Sequence, residues 1–420
     1  MSSTPAPGTP DELHRRLGVS DAVLIGLGSM IGAGIFASLA PAARAAGSGL
    51  LIALAAVVAS CNATSSARLA ALYPASGGTY VYGRERLGDF WGYLAGWAFV
   101  VGKTASCAAM ALTVGAYVRP GQAHAVAVAA VVALTAVNYA GVRKSALLTR
   151  IIVAVVLTVL AAVVVASLTS GSTDAARLDV GSEATPGGVL QAAGLLFFAF
   201  AGYARIATLG EEVRDPARTI PRAIPVALGI TLVVYAAVAV SVLLVLGPDG
   251  LAAAGAPLTD AARAAGAEWL VPVVRAGAAV AALGSLLALV LGVSRTTFAM
   301  ARDHHLPHGL AAVHPRFKVP HRAELVVGAV VAAAAATADV RAAIGFSSFG
   351  VLAYYAIANA SAWTLAPAEG RPSPVVPAVG LAGCLVLAFA LPLSSVVTGA
   401  TVLAVGAAVY GMRRALARRA

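Results

Sequence analysis

The chain has 420 residues, 60% of them hydrophobic and 11% charged, whereas an ordinary soluble domain carries roughly 25% charged residues. That balance excludes a soluble enzyme, and once the apolar stretches are set aside no length remains for a separate catalytic domain. The formal charge of +11, from 29 basic against 18 acidic residues, is read as an orientation signal in a bilayer, so no nucleic-acid partner is expected.

Residues 1–17 are rich in Pro, Ser and Thr and lack the apolar segment of a leader, so a disordered cytoplasmic tail is expected there. Long apolar stretches follow at 20–45, 48–70, 87–118, 122–142, 146–169, 188–210, 223–247, 270–301, 323–339, 341–366, 374–392 and 394–412. A bilayer crossing takes roughly 20 apolar residues. The pattern therefore predicts an all-α polytopic membrane protein of about twelve spanning helices over residues 18–412, with a basic cytoplasmic tail at 413–420. If the amino terminus is inside, that side holds most of the basic residues, among them Arg84, Arg86, Arg150, Arg214, Arg218, Arg302, Arg413 and Arg414. Arg44, Arg119, Arg177, Arg263, Arg275 and Arg341 fall on the other side, and Lys103, Arg205 and Arg295 fall inside helices. The asymmetry places both termini in the cytoplasm of a multi-pass plasma-membrane protein.

Two spans carry a break in the apolar pattern. The first contains Gly28-Ser29-Met30-Ile31-Gly32-Ala33-Gly34-Ile35-Phe36, and the sixth Phe197-Phe198-Ala199-Phe200-Ala201-Gly202-Tyr203-Ala204-Arg205. Each interior glycine costs a helix about 1 kcal/mol relative to Ala. Close helix packing is one explanation, since Gly28 and Gly32 are four apart. Interruptions at corresponding places in two halves of a chain point instead to a transporter binding site, because unwound backbone at membrane depth is tolerated only where it lines a cavity. Open helix starts suit a carboxylate and open helix ends suit an ammonium. On this reading the backbone around Gly32, Ala33 and Gly34 takes the carboxylate of a zwitterion, the carbonyls near Phe198 to Ala201 take its amine, and side chains facing the R group set specificity. The candidate substrate-binding residues are Ser29, Met30, Ile31, Gly32, Ala33, Gly34, Phe198, Phe200, Ala201, Gly202, Tyr203 and Ala204.

These stretches, with Glu211-Glu212-Val213-Arg214-Asp215-Pro216, Thr219-Ile220-Pro221, Ser294-Arg295, Met300-Ala301-Arg302-Asp303 and His314-Pro315-Arg316-Phe317-Lys318-Val319-Pro320, resemble an amino-acid permease of the amino acid, polyamine and organocation superfamily. The motifs are most similar to its cationic-amino-acid-transporter branch. The resemblance covers residues 18–412 and implies a five-plus-five inverted repeat of the leucine-transporter type with discontinuous helices one and six. The halves would lie at about 20–169 and 188–366, and the helices at 374–412 would be an addition. It further implies a site between helices one and six, walled by helices three, eight and ten, and alternating access by rocking of helices one, two, six and seven. Where many members carry an acid after the sixth-helix glycine, this chain has Ala204. The third-helix acid of cation carriers falls on Gly102, and the helix-five lysine of some sodium-independent members falls on Val156. A neutral amino acid is therefore favoured over a polyamine or other cationic amine.

Charges inside spans are costly and read as functional. Lys103 could stand in for a bound cation, couple transport to protons, or pair with an anionic substrate. Arg205, Glu211 and Glu212 are gating or coupling candidates, set against the simpler reading of solvated or structural ion pairs. Cys61, Cys107 and Cys384 have no metal-ligand spacing, no Walker A pattern occurs, and no cofactor or metal is expected. The expected partners are the lipid bilayer and a small-molecule substrate, moved by proton symport or exchange. A channel or a non-transporting sensor on the same fold is the alternative from another class.

Overall fold

The computed structural model describes residues 17–54, 57–74, 77–141, 146–181, 184–207 and 212–417. Over these residues the backbone is helical apart from turns and a single bridge between Leu17 and Val213. Through that bridge Leu17 donates to Glu212 O and accepts from Arg214 N–H. The last residue of the expected tail is thus tied to the segment that follows the sixth span.

Each apolar stretch is occupied by helix. We label as α1 the span Val19–Met30 plus Ala33–Ala37, which continues into Leu39–Ala46 because Ser38 N–H donates to Gly34 O and Ser38 O accepts from Ala42 N–H. A turn at Gly47–Gly49, with Gly47 at a positive φ of 54°, separates it from α2, formed by Leu50–Ala53 and Val57–Leu72. Then come α3 (Asp89–Val118), α4 (Pro120–Tyr139), α5 (Leu147–Thr169), α6 (Pro186–Ala207), α7 (Pro216–Ala253) and α8 (Glu268–Arg302). The last four are α9 (His321–Thr337), α10 (Val340–Trp363), α11 (Val375–Ala390) and α12 (Leu393–Leu416). Among the described residues nine helices are long and apolar enough to cross a bilayer, and ten if the bent pair Leu39–Ala53 and Val57–Leu72 is taken as one. α9 and α11, at 17 and 16 residues, are at or just below the lower end of the roughly 17–25 residues that span a membrane. The protein is an all-α polytopic membrane protein.

Local chemistry explains the irregular points. In α7, Pro248 cannot donate to the carbonyl four residues back, and Gly247 turns out of helical geometry with φ 70°. The carbonyls freed there are taken up by Arg177, which donates to Leu244 O at 3.0 Å and Val245 O at 2.5 Å. α3 and α10 cross at Gly102 and Gly350, where a Cβ on Gly102 would lie 3.2 Å from the Gly350 Cα. Two small residues let the backbones touch.

Ion pairs sort the loops into two sets. Arg84 pairs with Asp303, Arg86 with Glu369 and Arg150 with Asp21, while Arg413 donates to His304 O. All of these lie on the side that the sequence marks as basic. On the opposite side Arg44 donates to Ala252 O, Arg275 to Tyr117 O, and Arg263 pairs with Asp260. The loop contacts thus follow the alternating crossings expected from the basic-residue pattern.

Candidate functional site

At the break in α1, Ile31 N–H donates to Leu27 O at 2.7 Å and closes the first helix. Gly32 N–H then turns back to Met30 O at 2.8 Å about Ile31, which has φ −78° and ψ 61°, the geometry of an inverse γ-turn. Helix resumes at Ala33 without a side-chain cap. α6 is interrupted differently from expectation. Its α-helical bonding runs to Phe200, tightens into a 3₁₀ turn at Ala201–Tyr203, and resumes at Ala204. The span narrows there and does not open into a gap.

The two interruptions lie against each other. A Cβ on Gly202 would sit 2.4 Å from Ser29 O and 2.7 Å from Met30 N, and one on Gly34 would sit 2.6 Å from the Ala199 Cα. Only glycine permits backbone contact this close. From α7 the Tyr235 hydroxyl lies 2.5 Å from Met30 O and 3.2 Å from Ala199 O, so one buried group serves carbonyls of both spans.

Beside this crossing is a cavity of about 160 Å³. For scale, an engineered protein cavity of about 150 Å³ holds a benzene molecule. α1 contributes Ser29, and α6 contributes Phe198, Ala201, Gly202, Ala204 and Arg205. α3 supplies Phe99, Lys103, Ser106 and Met110, α8 supplies Ser285, Leu289 and Arg295, and α10 supplies Tyr354. Gly77 and Glu212 come from the connections before α3 and α7, on the basic side. Of the residues singled out from sequence, Ser29, Phe198, Ala201, Gly202, Ala204, Lys103, Arg205 and Glu212 therefore converge on one hollow.

Others do not. Met30, Ile31, Gly32, Ala33, Gly34, Phe200 and Tyr203 are absent from the cavity wall. Gly34 packs on Ala199 and Gly32 faces Ser285, whose Oγ would be 2.1 Å from an added Cβ. Phe200 stacks near Tyr235 and Tyr203 near Tyr355, at ring separations of 5.1 and 5.2 Å. At these positions the glycine Cα atoms and the aromatic rings lie against neighbouring helices. Glu211 lies outside the described residues. Sequence reasoning gave no site role to Ser106, Met110, Ser285, Arg295 or Tyr354, which depend on how α3, α8 and α10 are rotated.

On the far side of the α1 break is a second hollow of about 230 Å³, with Arg44, Pro257, Asp339 and Arg341 in its wall. Phe36 and Tyr117 are also in its wall. Their rings meet edge to face at 5.6 Å, and Tyr117 donates to Phe36 O at 2.9 Å. A larger groove of about 570 Å³ between α3, α9, α10 and α12 has no charged residue in its wall and suits hydrocarbon rather than a polar solute. Among the described residues no group of three or more His, Cys, Asp or Glu is placed to hold a metal.

Comparison with known proteins fits this architecture. The model of the family described as amino acid permease matches residues 17–411. An uncharacterized transporter of Mycobacterium tuberculosis is 79% identical over 98% of this chain and 94% of its own length. The branched-chain amino acid permease BcaP of Bacillus subtilis is 28% identical over 75% of this chain and 73% of its own. The methylthioribose transporter of the same bacterium is 27% identical over 98% and 95%. A helical membrane array built round two touching span interruptions, matched over nearly its whole length by the family model, identifies the chain as a transporter that belongs to the amino acid permease family.

Proposed function

We propose that the protein is a secondary active transporter that moves an amino acid, neutral rather than cationic, across the plasma membrane by alternating access. The observation that carries this is the cavity of about 160 Å³ at the crossing of α1 and α6. Its wall includes Gly77 and Glu212 from connections on the basic side, and it shares no wall residue with the opposite hollow. By the positive-inside rule the basic side is cytoplasmic, so both termini are inside and the cavity faces the cytoplasm. Residues 20–169 and 188–366 then form the inverted halves, and 374–412 the added helices. The wall has no acid at Ala204, and Gly102 is packed on Gly350, so neither position neutralises a cationic side chain. Lys103, Arg205 and Glu212 are the coupling and gating groups of this reading, whether the cycle runs as proton symport or as exchange.

The test is reconstitution of the full chain in liposomes with a panel of labelled amino acids and amines. Saturable uptake and counterflow of a neutral amino acid is expected. Absence of uptake and exchange across the whole panel defeats the assignment, and ohmic currents without counterflow would make the protein a channel. Uptake of putrescine or arginine in preference to neutral amino acids would reverse the substrate preference.

A further inference from the structure

The first turn of α9 carries an acid on its buried side. Glu324 shares that face with Ala323, Val327, Gly328, Val331 and Ala335, the three-and-four spacing of one side of a helix. The face packs on α3, α4 and α8, and a Cβ added at Gly328 would meet Thr135 Oγ1 of α4 at 2.6 Å. An acid in a first helical turn is ordinarily a hydrated partner of the helix dipole. Glu324 is instead 0% exposed, and among the described residues neither of its side-chain oxygens has a hydrogen-bond partner. An ionised carboxylate in this place has lost its water and gained no replacement, whereas the protonated acid carries no charge to desolvate.

Charge reaches this acid from one direction. Arg295 of α8 attracts Glu324, yet no hydrogen bond joins the two. The other titratable groups on the packed elements are engaged elsewhere. Tyr139, at the end of α4, lies against the rings of His314 and His321, and His308 stacks on His304. On α3, Lys103 borders the α1–α6 cavity and Cys107 sits in an apolar cluster with Val327 and Val331. On α9 itself Arg322 donates to Gly309 O. Among the described residues Arg295 is the charged group that acts on the Glu324 carboxyl. Arg295 is also exposed in the wall of the α1–α6 cavity, where it repels Arg205. One guanidinium thus stands between the buried acid and the solute cavity.

Resting on the proposal that this cavity is the transport site, we infer that Glu324 is a proton-binding site and that Arg295 couples it to the transported solute. With the proton on Glu324, the Arg295 charge stays on the cavity wall. When the acid releases the proton as H⁺ toward the basic side, where α9 begins, a carboxylate remains. Its attraction for Arg295 then draws positive charge away from the wall. Proton and solute therefore change each other's affinity, the reciprocal linkage of two distinct sites. Of the two cycles left open above, symport and exchange, this coupling selects proton symport.

Two measurements on the purified full chain test this. In infrared spectra at neutral pH the wild type should show the carbonyl band of a protonated carboxyl that Glu324→Gln lacks. Superimposable spectra overturn the inference, and this readout needs no transport. In liposomes loaded with a pH-sensitive dye, uptake of labelled leucine or alanine by the wild type should carry protons inward. The apparent affinity for the amino acid should change by about 5- to 150-fold between acid and alkaline medium, the usual size of a coupling between sites. Glu324→Gln should continue counterflow while losing the proton flux and the pH dependence, and Glu324→Asp should recover part of both. A merely structural acid would lower stability and flux without altering the pH profile, so a Glu324→Gln protein that keeps the wild-type profile overturns the inference. Wild-type uptake that moves no protons, or that follows a sodium gradient instead, overturns it with no variant needed. Absence of uptake and counterflow across the whole panel defeats the transporter reading, and the infrared band then still decides whether Glu324 holds a proton.

Discussion

α1 and α6 meet at one point and are interrupted by different means. In α1 the chain leaves the helix at Ile31 and Gly32 and starts again at Ala33, while α6 tightens to a 3₁₀ turn at Ala201–Tyr203 and keeps its course. Glycine content explains part of this. α1 holds Gly28, Gly32 and Gly34, and about 1 kcal/mol lost per interior glycine accumulates there. α6 holds Gly202 alone in the corresponding stretch, between Phe200 and Tyr203, whose rings are pinned by Tyr235 and Tyr355. Glycine in α1 lets its own backbone depart; glycine in α6 leaves room for the backbone of its neighbour.

That difference is broken most severely at Gly202. In Gly202→Ala the new Cβ would meet Ser29 O at 2.4 Å, a main-chain atom that cannot rotate aside. Overpacking of this kind costs about 1–3 kcal/mol. Because this contact joins the two spans beside the cavity, liposome uptake should fall to background, with a lowered melting temperature in detergent. Wild-type flux in this variant would show that α1 and α6 need not touch. Next in size is Tyr235→Phe, which deprives Met30 O of its 2.5 Å partner. Met30 O keeps the Gly32 N–H at 2.8 Å, so the loss is that of one hydrogen bond, about 0.5–1.5 kcal/mol, and thermal unfolding should report it. A variant as stable as the wild type would mean that the α1 break supports itself.

A smaller effect separates the two glycines. Gly32→Ala collides with the Ser285 Oγ at 2.1 Å, a side-chain atom, with the next main-chain atom, Ala281 O, 3.7 Å away. Gly32→Ala should therefore be partly rescued by Ser285→Ala, with a coupling energy of about 1 kcal/mol in a double-mutant cycle. No side-chain change at Ser29 should rescue Gly202→Ala, because there the obstacle is the backbone itself. Equal rescue at both sites would erase the distinction drawn between the spans.

The spans themselves are legible in sequence because twenty-odd apolar residues are a one-dimensional signal. The breaks are legible to the residue for a similar reason: Gly32 and Gly202 stand out in apolar runs. What sequence leaves open is the purpose of each glycine. Gly34 reads equally as an exposed peptide for an anion and as a packing surface, and its approach to Ala199 depends on tertiary packing that sequence does not carry. Lys103 and Arg205 are conspicuous as charges in apolar surroundings. Ser106, Ser285 and Tyr354 are ordinary polar residues whose meeting at one cavity depends on the rotation of three helices distant in sequence. Arg295 is visible as an intramembrane cation, yet its place beside Arg205 follows from tertiary packing alone.

A cluster away from both interruptions sets the scale for the smallest effect. On the basic side the Tyr80 hydroxyl donates to Asp303 Oδ2 at 2.6 Å and lies 2.9 Å from His305 Nδ1, while Arg84 donates to the same carboxylate oxygen at 2.6 Å. Burial, with the Arg84 guanidinium adding to it, holds the His305 imidazole below its ordinary value of 6.5, against the opposing pull of Asp303. The folded protein thus binds a proton on this ring less readily than the unfolded chain does. The stabilisation is complete above pH 6.5 and drains away as pH falls below that value toward the folded-state pKa. His305→Asn should flatten the pH dependence of the melting temperature between about pH 7.5 and 5.5, the interval in which an imidazole of near-ordinary pKa changes charge, and should leave uptake at pH 7.5 close to wild type. The Gly202 and Tyr235 variants should keep the wild-type pH slope while losing stability at every pH, because their defects involve no titrating group. A Gly202→Ala protein whose melting temperature lost its pH slope would show instead that the α1–α6 crossing and the Tyr80–Asp303–His305 cluster open as one unit.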